Sequence, residues 1–182
     1  MKMRKSIILF AAIFLIAGFS ITLKAQTSAS EVTAAGAKLI VPMTLTETAP
    51  LHFGTINVLT GLGGTCELPS NSTTRIFTGD LAASAVAPVA TNAAYDVTGT
   101  MNVTYALSLP ATVTVTETVG AVETMDITLL TARFNGAGAD AVVSVLDGSG
   151  TDSFTLGGTL TVAAGQVSGI YAGTFTVTVD YN

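Results

Sequence analysis

From residue 39 onward, apolar side chains recur at every second position in run after run, and the final run is the cleanest. Between Gly169 and Asn182 the residues Tyr171, Phe175, Val177, Val179 and Tyr181 fall on odd positions, with Ala172, Thr174, Thr176, Thr178 and Asp180 between them. A period of two marks a strand with one buried and one wet face, and β-branched and aromatic residues suit a pleated surface. The pattern predicts one long terminal strand over 169–182. A second alternation, Leu39, Val41, Met43 and Leu45, predicts a strand over 38–46. Pro42 has no N–H to give a ladder, which places that strand on an edge or at a bulge.

The same reading predicts the elements between these two. Residues 51–58 form a strand bent at Gly54, and 65–68 pairs with 73–78. The small-residue stretch 81–91 reads as a loop because of Pro88. Strands at 94–98 and 102–109 pair around Gly99-Thr100, and further strands follow at 112–116, 125–130 and 141–146. Asp147-Gly148 supplies a tight hairpin turn, and 154–163 is a strand kinked at Gly157-Gly158. No segment sustains a 3.6-residue period. About ten strands with turn signals every 8–12 residues predict an all-β fold, an antiparallel immunoglobulin-like β-sandwich with Greek-key links.

The N-terminus follows a different rule. Lys2, Arg4 and Lys5 precede an apolar run from Ile7 to Ile21, and Leu23-Lys24-Ala25 offers a small residue at a cleavage edge. This predicts a signal peptide over 1–25, cut before Gln26, hence export to the cell surface or the extracellular space via the periplasm. Residues 26–36 then read as a flexible arm and 37–182 as one domain. Four of the seven basic residues belong to the signal. The remainder keeps Lys38, Arg75 and Arg133 against 12 acidic residues, a formal charge of −9. So anionic a surface argues against nucleic acid, and against a membrane once the signal is removed. Charged side chains are scarce and Thr replaces them on the outer strand faces, a composition suited to extracellular assembly.

Candidate chemistry is thin. Cys66 is the single cysteine, so no disulfide forms within the chain, and a small buried hydrophobe is its ordinary role. His52 is the single histidine, which excludes a two-histidine metal site. Paired with Cys66 it has no third group to orient it. Asp147 and Asp152 bracket an oxygen-rich turn that lacks the closing glutamate of a helical calcium loop. Glu117, Glu123 and Asp126 read as solubilising strand-edge carboxylates, and Lys38 has no acid placed beside it to lock strands. Gly61-x-Gly63-Gly64 lacks the helix and lysine of a phosphate loop. The expectation is a protein without catalytic residues, metal or cofactor.

Leu51-x-Phe53-Gly54, Val97-Thr98-Gly99, Leu107-Ser108-Leu109-Pro110, Phe154-x-Leu156-Gly157-Gly158-Thr159-Leu160 and the final strand carry a resemblance. Over residues 35 to 182 the chain is similar to a bacterial secreted family catalogued as domain of unknown function 4402, which implies a fold and no activity. More narrowly, Gly169, the stripe after it and the penultimate Tyr181 resemble the terminal strand of chaperone–usher pilins. That likeness implies an open groove beside the strand, filled first by a periplasmic chaperone and then by a strand of the next subunit. Gly169, Tyr171, Phe175, Val177, Val179 and Tyr181 would be the assembly strand. Leu39, Val41, Met43 and Leu45, with or without the arm, would be the donor, although the arm's alanines fill few pockets. Many pilins carry an internal disulfide near the first strands, and this chain, with its single cysteine, departs from that pattern. The expectation is a non-enzymatic structural subunit whose partners are subunits of the same or a related kind. The alternative is a self-contained secreted sandwich that binds carbohydrate or matrix material.

Overall fold

The computed structural model describes residues 28–120 and 122–182; the expected signal peptide and its cleavage point lie outside them. The chain divides after Lys38, and residues 28–38 of the first unit are exposed and in no strand. The second unit is all-β and antiparallel. Among the described residues it holds fifteen strands: β1 (Thr44–Ala49), β2 (His52–Phe53), β3 (Ile56–Val58), β4 (Gly64–Leu68), β5 (Ile76–Gly79), β6 (Leu81–Ala83), β7 (Ala90–Thr91), β8 (Ala93–Thr98), β9 (Thr104–Ser108), β10 (Thr112–Glu117), β11 (Thr124–Phe134), β12 (Val143–Val145), β13 (Thr151–Val162), β14 (Tyr171–Ala172) and β15 (Thr178–Tyr181). One sheet runs β1-β8-β13-β11-β10-β14, with β4 and β5 joined to it through β13. A second runs β12-β9-β15, and β2-β7 and β3-β6 make two small pairs.

Glycine explains how β13 serves two neighbours. Its first half pairs with β8 up to Leu156, and its second half pairs with β4 from Gly158. A Cβ on Gly157 would meet the Leu68 carbonyl oxygen and would lie 2.7 Å from the carbonyl carbon of Pro69. The pair Gly157-Gly158 therefore marks a close backbone approach inside a continuous strand, where a kink was expected.

Several expected boundaries move. The strand expected over 38–46 begins only at Thr44, leaving Leu39, Ile40 and Val41 exposed. The run at 51–58 breaks into β2 and β3 because Gly54 takes φ 73°. Two short strands, β6 and β7, stand where a loop was expected. Strands β8 and β9 lie in different sheets, so the hairpin expected around Gly99-Thr100 is instead a crossing between sheets. The expected 125–130 strand extends to Phe134, through a register shift between Thr128 and Thr131 where Leu129 adopts φ 51°. The turn after β12 also links two sheets, and its left-handed residue is Gly150 (φ 76°) rather than Gly148.

Buried side chains gather in two clusters. Val97, Tyr105, Leu107, Phe134, Leu146, Phe154 and Leu156 belong to one; Phe53, Cys66, Leu68, Val113, Ile127 and Leu160 belong to the other. Tyr95 stacks on Phe154 with centroids 5.1 Å apart, and Tyr105 meets Phe134 edge-on at 5.8 Å. Leu51 and Phe175 pack against both clusters.

A candidate assembly seam

The closing run is not one strand. β14 pairs with β10 through Thr116↔Ala172 and Glu117↔Tyr171, whereas β15 pairs with β9 from Thr178↔Ser108 to Tyr181↔Tyr105. Residues 174–177 lie in no strand, so the ribbon passes from the first sheet to the second. Glycines permit the passage. A Cβ on Gly173 would lie 2.7 Å from the Thr114 carbonyl oxygen, and one on Gly169 would lie 2.9 Å from Cγ of Glu117. Glu117 is buried, and its carboxylate accepts hydrogen bonds from the Val119 amide (3.0 Å) and the Gly120 amide.

The expected facing survives this break. Phe175, Val177, Val179 and Tyr181 are half-buried and pack against the core, while Thr174, Thr176, Thr178 and Asp180 are exposed. Tyr171 takes a separate role. Its hydroxyl donates to the Val167 carbonyl (2.7 Å) and accepts from Nε2 of Gln166 (2.9 Å), pinning the preceding turn. Tyr181 ties the far end: its hydroxyl donates to the Val41 carbonyl (2.6 Å) and accepts from the Thr100 amide (2.6 Å). A Cβ at Gly99 would collide with that hydroxyl and lie 2.9 Å from Cδ1 of Leu146.

The stripe that runs into β1 packs on the same core cluster as the ribbon. Met43, Leu45 and Leu51 are half-buried on the same core cluster, whereas Leu39 and Val41 remain exposed. The expected donor residues therefore separate into an outer pair and an inner pair that packs on its own core. β1 ends the first sheet and β15 ends the second; among the described residues no strand pairs with the remaining edge of either. The Val41 carbonyl meets the Tyr181 hydroxyl, and Leu51 and Phe175 each pack against both clusters. Cross-strand partners sharpen the point. Val179 sits opposite Leu107 and Tyr181 opposite Tyr105, yet Leu107 is 5% exposed and Tyr105 0% while the ribbon residues are half-exposed. Leu45 opposite Val97 (0%) repeats the pattern. Apolar cover thins at both edges.

Polar clamps hold this frame. Asp152 of β13 accepts hydrogen bonds from the Tyr105 hydroxyl of β9 (2.9 Å) and the Ser144 hydroxyl of β12 (2.6 Å), tying the two sheets beside the ribbon. Burial, then the Asp152 carboxylate, pushes the Tyr105 hydroxyl well above its ordinary pKa, so it stays a donor. Nothing in the sequence pattern singled out this trio, because each member sits on a different strand. Gly99 was marked by the family resemblance, and its contact with Tyr181 supplies a physical reason for it.

The remaining candidates have structural partners. His52 is exposed and its Nδ1 accepts from the Gly54 amide (2.7 Å). Cys66 is fully buried, and burial pushes its thiol up to about 11 against the opposing charge of Arg75. Asp147 spends its carboxylate on the amides of Thr151 and Ser149 (both 2.8 Å), which hold it below the usual carboxylate range. Asp126 accepts from the Thr114 hydroxyl (2.7 Å), and Lys38 is exposed. Among the described residues no group of three or more His, Cys, Asp or Glu could hold a metal ion. Elsewhere a shallow depression is lined by Asn71, Asp96, Arg133, Asn135, Ser153 and Thr155. Tyr95, Phe134 and Phe154 also line it, all three buried.

Residues 43–181 match the family described as Domain of unknown function (DUF4402). The chain belongs to that family. The matched span starts at Met43, the first half-buried residue of the β1 wall, and ends at Tyr181, the last of the ribbon. No curated protein matches the chain.

Proposed function

We propose that this DUF4402 member is an exported, non-enzymatic structural subunit that joins neighbouring subunits by β-strand addition along the seam between β1 and β15. The observation that carries the reading is that β1 and β15, each paired on one side only, carry apolar stripes that remain partly exposed above one buried core cluster. An immunoglobulin-like sandwich places four strands in one sheet and three in the other. In this reading β1-β8-β13-β11 stand for the four and β12-β9-β15 for the three, and an added strand would lie beyond β15. The resemblance of the ribbon to pilin terminal strands supports the same assignment.

An extended segment entering there would complete main-chain ladders and cover the Phe175–Tyr181 stripe. With five or so hydrogen bonds near 1 kcal/mol each and several side chains covered, the gross gain is on the order of 10 kcal/mol before association costs. Leu39 and Val41, exposed and ahead of β1, are the outer part of the candidate donor, and a periplasmic chaperone would shield the seam beforehand.

The test compares inward and outward substitutions in the chain purified with its native N-terminus. Unheated SDS gels of the wild type and of Thr178→Arg are expected to show ladders, and Val179→Arg none. Heat-tolerant monomers without ladders in all three, and no dependence on a co-expressed chaperone, would instead favour a self-contained carbohydrate- or matrix-binding domain.

A further inference from the structure

The register of the first sheet shifts at two places, and both border one groove on its outer face. In β1 the shift falls between Glu47 and Ala49, so that Thr48 stands opposite no residue of β8. In β11 it falls between Thr128 and Thr131 and contains Leu129. Bulges re-aim side chains and gather beside functional sites. Leu129 is 73% exposed at φ 51°, so a strained backbone turns a leucine to solvent instead of the core. Two depressions of about 470 and 420 Å³ make up the groove: Thr48 lines the first, Leu129 the second, and both share Asn71 and Arg133. Arg133, Ser153 and Thr155 alternate with the buried Phe134, Phe154 and Leu156, which sets them on the outer face. Arg133 pairs with Thr155, which pairs in turn with Ala94, so short side chains floor the groove beside a long one.

The polar groups there are already positioned. Asp140 accepts hydrogen bonds from Oγ of Ser70 (2.6 Å), a 2% exposed residue, and from Nε of Arg133 (2.7 Å). Among the described residues the two terminal nitrogens of Arg133 have no hydrogen-bond partner, which leaves the planar end of the guanidinium available. Asn71 is exposed at the end of a pinned segment: the Thr155 hydroxyl donates to the Ser70 carbonyl (2.6 Å), and Nδ2 of Asn92 donates to the Pro69 carbonyl (2.7 Å). Arg133 offers donors, the exposed carboxylates of Asp96 and Glu67 offer acceptors, and the Asn71 amide offers both. An anionic ligand would meet those carboxylates, and a cationic one would meet Arg133. A neutral ligand dense in hydroxyls, each both donor and acceptor, suits all of them, and Leu129 can cover its C–H face. We propose that the groove binds a neutral oligosaccharide, with Arg133 and Asn71 at its centre and Leu129 as its apolar contact. The site is open on a single copy, so it does not depend on strand addition.

The test is an array of neutral oligosaccharides of glucose, galactose, mannose and N-acetylglucosamine, with oligogalacturonate as the anionic comparison, followed by calorimetry on the best binder. The chain purified with its native N-terminus is expected to bind at least one neutral oligosaccharide with a Kd of about 1 mM or tighter. Arg133→Gln is expected to weaken that binding about tenfold, the loss of charge-assisted hydrogen bonds. Leu129→Gly is expected to weaken it about fivefold while raising the urea midpoint, a combination that damage to the fold would not give. Thr178→Arg, on the ribbon, is expected to bind as the wild type does. No neutral oligosaccharide bound, tighter binding of oligogalacturonate, or full affinity in both Arg133→Gln and Leu129→Gly would overturn the proposal.

Discussion

Tyr181 and Gly99 act as a pair. The glycine leaves room for the phenol, and the phenol bridges the Val41 carbonyl to the Thr100 amide across the mouth of the seam. Gly99→Val should therefore destabilise the fold by about 1–3 kcal/mol in urea denaturation, because the new side chain overpacks against Leu146 and the ring. Tyr181→Phe keeps the packing and removes two hydrogen bonds; it should cost about 1 kcal/mol and speed amide exchange at Thr100. Cys66 gives a pH test. Its thiol is raised from 9.0 to about 11 in the folded chain, so the native state keeps a proton there that the unfolded state has lost. Stability is then fully present below about pH 9 and falls as pH rises toward 11; Tyr95, raised mainly by burial and then by Glu47, adds in the same direction. Urea midpoints measured between pH 8 and 10.5 should decline, and the native thiol should resist alkylation until the chain unfolds.

Alternation along the ribbon encodes which face is apolar, and the burial of Phe175, Val177, Val179 and Tyr181 follows it residue by residue. It does not encode which strand lies alongside, and that is why one expected strand becomes β14 and β15 in separate sheets. The same limit explains β8 and β9: both were legible as strands, but a short Gly-containing link serves a hairpin and a sheet crossing alike. Strand β11 was read short because Leu129-Leu130 breaks the period. The bulge there turns Leu129 outward at φ 51° before the pattern resumes at Ala132 and Phe134. A leucine held in the left-handed region is strained, so Leu129→Gly should raise stability by about 0.5–1 kcal/mol in the same denaturation assay. The stripes were legible as apolar faces. Their partial exposure was not, since alternation fixes which face is apolar and not how completely other strands cover it.

At the scale of the molecule, an acidic, lysine-poor domain whose sheets end on strands paired on one side only, β1 and β15 among them, carries the usual liability of open sheets and few of the usual guards. Thr, rather than Lys, covers the even positions of the ribbon, so its outer face offers little charge to repel an incoming strand. Asp152, Tyr105 and Ser144 keep β9, the ribbon's one partner over 178–181, locked to the first sheet. In the proposed reading these bonds hold the margin in place for a second chain. Residue-resolved hydrogen exchange on the isolated chain and on its SDS-resistant assemblies tests this most directly. Alternate amides of Thr44–Ala49 and Thr178–Tyr181, those turned away from β8 and β9, should exchange rapidly in the monomer and become protected in the assembly. Uniform protection of both strands in the monomer would contradict the account.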